Sequence, residues 1–176
     1  EFAIQRLRQR KNRPRKPFAV LYPSIERLEQ DLHVPEEEKK ELKNVQIPIV
    51  IISSKNFSGK LCVDQIASGL SYLGIMLPYS AILQLLTEAL QIPIIATSGN
   101  IHGSPILSDN RKALEELAGV ADYFVQHHLE IRNPQDDSVI KFSPKYRHRI
   151  VFRRSRGFAP GYFGEIASHG EKILAL

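Results

Sequence analysis

Short apolar runs rich in β-branched residues alternate with helical spacing through the middle of this chain, and that alternation limits the folds open to it. IPIVIIS (47–53), LGIMLPYS (73–80) and IPIIATSGN (92–100) read as buried strands. PFAVLY (17–22) reads as one more. Between them, Ser24 caps a pattern with Ile25, Leu28 and Leu32 on one face, and Pro35 opens EEEKKEL with its acids in the first turn. Ser80 caps ILQLLTEAL, and Asp109 caps NRKALEELAG, which Gly119 closes. DYFVQH (122–127), SVIKF (138–142) and HRIVFRRS (148–155) read as three further strands, and 2–11 as a short helix ended by prolines. Strands and helices that alternate and then give way to strands imply α/β, a mixed twisted sheet flanked by helices.

One domain suits 176 residues, which is enough chain to bury a core without staples. Cys62 is the single cysteine, so there is no disulfide framework, and a reducing, cytoplasmic setting is expected. No apolar run reaches membrane-spanning length, and no signal peptide is visible. The net charge of +5 favours anionic partners, whether nucleotides or nucleic acid.

That charge gathers at one end. RLRQRKNRPRKPF holds Arg6, Arg8, Arg10, Lys11, Arg13, Arg15 and Lys16 with no acid among them. Arg6, Arg8 and Arg10 recur at every second position, so a helix cannot place them on one face, and surface solvation is the expectation. Lys11, Arg13 and Lys16 lie where Pro14 and Pro17 stiffen the backbone, which suits phosphate chelation.

Three other segments could carry chemistry. In IIATSGNIHGSPI a strand ends at Ala96, and Thr97, Ser98, Gly99 and Asn100 follow where α/β ligand sites lie; a turn satisfying its own backbone fits equally. Asp136 and Asp137 could hold a metal or simply precede a strand, and Ser138 could contact a phosphate. Arg153, Arg154 and Arg156 either guard a sheet edge or form a second phosphate clamp. His127 and His128 have no zinc spacing, and no aromatic–cation pattern marks an RNA reader.

Taken together, Lys11-x-Arg13-Pro14, Lys16-Pro17-Phe18-Ala19-Val20, Thr97-Ser98-Gly99-Asn100 with Gly103-x-Pro105-Ile106, Asp136-Asp137-Ser138-Val139 and Arg153-Arg154-x-Arg156-Gly157-Phe158-Ala159-Pro160 resemble the YrdC-like domain of HypF proteins, the carbamoyltransferases of nickel–iron hydrogenase maturation. The resemblance covers roughly 3–164 and includes LGIMLPYS; SHGEKILAL is similar to the junction with the following carbamoyl-transfer domain. It implies a YrdC-like domain over 1–164 with a basic concave pocket, and a linker with the start of the following carbamoyl-transfer domain over 165–176. The Gly-rich strand expected ahead of the basic helix, and the acylphosphatase and zinc-finger regions upstream of it, would lie outside this sequence.

The activity implied is formation of carbamoyl adenylate from ATP and carbamate derived from carbamoyl phosphate, with pyrophosphate released. Mg²⁺ accompanies ATP, zinc belongs to other domains, and the carbamoyl group passes to a cysteine of a HypE-type partner. By the same resemblance, Lys11 and Arg13 are the catalytic residues, while Lys16, Thr97, Ser98, Asn100, Ser138, Arg154 and Arg156 bind substrate and nucleotide. The chain departs from the family at Leu83 and Gln84, where a His pair is common, at Leu129 in place of an Arg, and at Lys141, which keeps the charge without bidentate geometry. Two alternatives stand beside this reading: a threonylcarbamoyl-adenylate synthase of tRNA modification, and a module holding double-stranded RNA weakly through its basic face.

Overall fold

The computed structural model describes residues 2–161. In chain order the elements are α1 (Phe2–Arg10), β1 (Ala19–Leu21), α2 (Ile25–Glu29), α3 (Glu36–Leu42), β2 (Ile49–Ser53), α4 (Val63–Ile66), β3 (Tyr72–Met76), α5 (Ala81–Leu90), β4 (Ile94–Ala96), α6 (Asn110–Leu117), β5 (Val139–Phe142) and β6 (Arg149–Arg153). The strands form one mixed sheet in the order β4-β1-β3-β2-β5-β6. β1 runs parallel to β3 and β2 parallel to β5, and the other neighbours are antiparallel. The α/β expectation holds. The part of the expected domain at 162–164, and the expected linker at 165–176, lie outside the described residues.

Period-two side-chain alternation divides the sheet into two unlike faces. On one, Val20, Ile75, Val50 and Ile140 are register neighbours across β1, β3, β2 and β5, and all four are fully buried. Helices cover this face: Ile4, Ile25, Leu28, Leu42 and Ile66 join the same core cluster. On the other face, Ala96, Ala19, Gly74, Ile51 and Lys141 form a parallel row and stay only half-buried. Ala96 and Ala19 are small, and the Ile49 side chain packs against Gly74, where a Cβ would fall 3.1 Å from it.

The helix starts follow from their caps. Ser24 accepts from the amide of Arg27 at 3.2 Å, Ser80 from Leu83 at 3.4 Å, and Asp109 from Lys112 at 2.8 Å. α3 has no side-chain cap and begins after Pro35 with Glu36, Glu37 and Glu38 in its first turn, where the helix dipole favours them. Its acids also bind the far hairpin: Glu38 and Glu37 pair with Arg147, and Glu41 with Arg149.

One expected strand is absent. DYFVQH forms no ladder; Tyr123 and Val125 stand 91% and 82% exposed. Alternating apolar residues make a strand only where another strand offers hydrogen-bond partners, and none lies beside this segment among the described residues. No helix among the described residues is long and apolar enough to cross a membrane.

Candidate anion-binding site

The site begins where α1 stops. Asn12 takes a left-handed conformation, φ 48°, which turns the chain out of the helix and into the proline-rich stretch 13–17. Arg8 then gathers that stretch. Its guanidinium donates to the carbonyls of Gln65 at 2.6 Å, Ile66 at 3.1 Å, Arg13 at 2.9 Å and Lys16 at 3.1 Å. It also lies 4.5 Å from the centre of the Phe18 ring. Surface solvation is therefore the wrong role for Arg8: it fastens the basic loop to α4. Arg10 also has a partner, Asp122 at 2.8 Å, and Arg6 remains exposed.

Arg13 reinforces the loop from within, donating to the carbonyls of Lys16 at 3.2 Å and Pro17 at 2.6 Å with its guanidinium 5.0 Å from the Phe18 ring centre. Lys16 is exposed. Lys11 is 3% exposed, the one buried lysine among the described residues, and its Nζ donates to the carbonyl of Ser98 at 2.6 Å. No carboxylate lies within ion-pair distance of it among the described residues. Burial, then the neighbouring charges of Arg13 and Lys16, pushes the Lys11 ammonium below the ordinary lysine range. Arg13 moves the same way through burial and Arg8, while Asp136 opposes the shift.

The Thr97–Asn100 turn meets this cluster. Ser98 Oγ donates to Asn100 Oδ1 at 2.7 Å, Asn100 Nδ2 donates to the Ser104 carbonyl at 2.6 Å, and the Leu107 amide donates to the Gly99 carbonyl at 3.0 Å. The turn thus satisfies much of its own backbone and still offers its face to Lys11. Those bonds fit the reading of TSGN as a turn that satisfies its own backbone. The Thr97 hydroxyl oxygen is closed off from solvent and has no hydrogen-bond partner among the described residues.

Ser138, Arg154 and Arg156 sit at the opposite end of the strands. Ser138 is fully buried; its Oγ donates to the Arg156 carbonyl at 2.9 Å and accepts from the Ser155 amide at 2.8 Å. Arg156 donates to Asp137 Oδ1 at 2.9 Å and to the carbonyls of Gln46 at 3.2 Å and Ile47 at 2.8 Å, and its guanidinium lies 3.8 Å from the centre of the Tyr79 ring. Arg153 holds Asp136 Oδ2 at 3.0 Å and the Asp137 carbonyl at 2.8 Å. Gly157, φ 82°, seats this turn on Gln46: a Cβ there would fall 2.7 Å from the Gln46 side chain. Ile47 is held at φ 40°, a costly conformation for a β-branched residue. Arg154 is exposed and packs against Gly161.

Sequence reasoning missed Arg8, Arg153, Tyr79 and Ile47 as parts of this framework. Only the density of arginine and the Asp136-Asp137 pair hinted at such ion pairing. With both aspartates taken by arginines, no group of three or more metal-ligating side chains forms among the described residues. Arg8, Arg10, Arg153 and Arg156 are each engaged by protein partners, Arg8 through backbone carbonyls and the other three through aspartates.

A family model described as telomere recombination, and named for Sua5, YciO and YrdC, matches residues 1–155. The chain belongs to the Sua5/YciO/YrdC family. Within that family it is 40% identical, over 98% of its length, to a probable carbamoyltransferase HypF of Methanocaldococcus jannaschii, of which it spans 22%. A crystal structure of full-length HypF in a phosphate- and nucleotide-bound form superposes with a TM-score of 0.82 at 39% identity, over 89% of this chain and 24% of that one. Sua5 of P. abyssi, complexed with L-threonine, superposes at 0.72 with 24% identity over 88% of this chain and 45% of that one, which marks a common fold. The chain thus spans less than a quarter of the HypF relatives it matches.

Proposed function

We propose that this domain binds ATP and a carbamoyl donor and forms carbamoyl adenylate. The observation that carries the reading is Lys11, a buried ammonium with two cations beside it and no carboxylate within ion-pair distance among the described residues. Such a group favours an anion, and a rigid loop with charges fixed in place suits a polyphosphate. The HypF relatives, named carbamoyltransferases, supply the carbamoyl half, and the nucleotide- and phosphate-bound HypF structure supports the nucleotide half.

In the proposed reaction a carbamate oxygen attacks the α-phosphorus, and the bond to the β-phosphate oxygen breaks with its electron pair leaving on pyrophosphate. Lys11, Arg13 and Lys16 stabilise the charge that builds on the phosphoryl oxygens. The Thr97 hydroxyl, Ser98 and Asn100 position the carbamoyl group, and the small side chains of Ala96 and Ala19 let the ligand approach the sheet. Ser138 and Arg156 act by holding the 153–157 turn in place, and exposed Arg154 reaches the nucleotide. Mg²⁺ enters with ATP. In a longer chain, the carbamoyl group would pass to a HypE-type cysteine.

ATP–pyrophosphate exchange, measured with carbamoyl phosphate or bicarbonate and separately with L-threonine plus bicarbonate, tests the reading. Exchange is expected with the carbamoyl donor, independent of threonine, and about 10²–10³-fold slower in Lys11→Ala, the usual cost of removing one electrostatic stabiliser. Exchange that requires threonine, or that survives Lys11→Ala and Asn100→Ala unchanged, defeats it.

A further inference from the structure

A cavity of about 300 Å³, at the lower end of small-molecule sites, lies between α3, the end of β2 and the β5–β6 hairpin. None of Lys11, Arg13, Lys16 or the 97–100 turn lines it, so it is separate from the anion-binding site. Its floor is apolar, with Leu32, Ile52 and Phe142 all buried. One wall is not. Glu38 lines the cavity at 4% exposure, the most buried acid among the described residues. Its Oε1 accepts from Arg147 at 3.0 Å. Its Oε2 is closed off from solvent and has no hydrogen-bond partner among the described residues. Arg147 is not Glu38's alone: it sits at a left-handed φ of 54° in the hairpin turn and also faces Glu37 at 3.6 Å. Two carboxylates thus divide one guanidinium. Burial, opposed by Arg147, still pushes the Glu38 carboxyl above the ordinary range. Lys55 and His33 also line the cavity, but both are exposed and neither lies within ion-pair distance of Glu38.

We infer that this cavity binds a small organic amine, its ammonium on Glu38 and its hydrocarbon body on Leu32, Ile52 and Phe142. A buried carboxylate with one oxygen unmatched is costly, and a donor that carries positive charge meets both needs of the group. The apolar floor supplies the rest of the binding by taking hydrocarbon out of water. Arg147 makes room by leaning toward Glu37, which already lies 3.6 Å from it, and its side chain is 33% exposed. That movement opens Glu38 to the cavity while the guanidinium keeps a carboxylate partner. The most buried charged group of the lining is an acid, which disfavours a phosphate or any other anion here.

The test titrates the chain with isopentylamine hydrochloride and, separately, with the neutral isopentyl alcohol, at neutral pH and matched ionic strength. Backbone amide NMR shifts at 32–38, 52–56 and 142–147 report on the cavity. The amine is expected to bind at about 1 mM, as suits so small a probe, and at least about tenfold more tightly than the alcohol. Glu38→Gln keeps the shape of the side chain and removes its charge, and should bring amine binding down to the level of the alcohol. Isopentylamine should leave ATP binding unchanged, since the two sites share no residue. Absence of amine-induced shifts at the cavity overturns the inference. So does equal affinity for amine and alcohol, or amine binding that survives Glu38→Gln. If Glu38→Gln does not fold, the comparison of amine with alcohol on the unaltered chain decides alone.

Discussion

Single residues decide how charge is used here, and Lys11 carries the most. Its ammonium is lowered from the ordinary lysine value by burial first and by Arg13 and Lys16 second. The folded state therefore holds that proton less tightly than the unfolded chain does. The burden on folding is fully present at neutral pH and eases as pH rises through the lowered value toward 10.5, so Lys11→Met should stabilise the free protein near neutrality. Anion binding runs the other way, since it needs the charge. ATP affinity measured by calorimetry is expected to fall as pH rises toward 10, with proton uptake on binding, and Lys11→Met should flatten that profile. Ser138 offers a contrast. Its hydroxyl both donates and accepts inside the protein, so Ser138→Ala strands a buried amide and carbonyl, at about 1–3 kcal/mol by thermal or urea unfolding. A Ser138→Ala protein of unchanged stability but much weakened ATP binding would instead mean that the serine touches the ligand.

At the scale of elements, the loop after α1 owes its shape to Arg8, which ties it to the end of α4 through the carbonyls of Gln65 and Ile66. Charge-assisted hydrogen bonds of this sort are worth about 1.5–3 kcal/mol. Arg8→Met keeps the stem and removes the fork; it should lower the urea midpoint and weaken ATP binding together, whereas Arg6→Met should change neither. The contrast also marks the limit of sequence reasoning. Ser24, Ser80 and Asp109 were legible as caps because capping is a local event, visible within three residues. Lys11 and the TSGN turn were legible as chemical groups, by type and by position after a strand. What Arg8 binds was not, because Gln65 lies 57 residues away and contributes only a backbone carbonyl, which every residue has. DYFVQH failed for the complementary reason: its pattern is local, but a strand needs a neighbour.

Across the whole molecule, the two faces of the sheet divide the work. The face of Val20, Ile75, Val50 and Ile140 closes against helices and holds the fold together, while the row of Ala96, Ala19 and Gly74 stays partly open. Ile75→Ala, at the centre of the closed row, should cost about 2–5 kcal/mol, read as a drop in unfolding temperature with little change in ATP affinity per folded molecule. The 11–17 loop obeys the same division. Its carbonyls are held from below by Arg8, whose other partners end α4, where fully buried Ile66 enters the core. A synthetic peptide copying residues 1–18 would thus possess every cation of the cluster and none of its arrangement, and should bind polyphosphates as loosely as any oligoarginine.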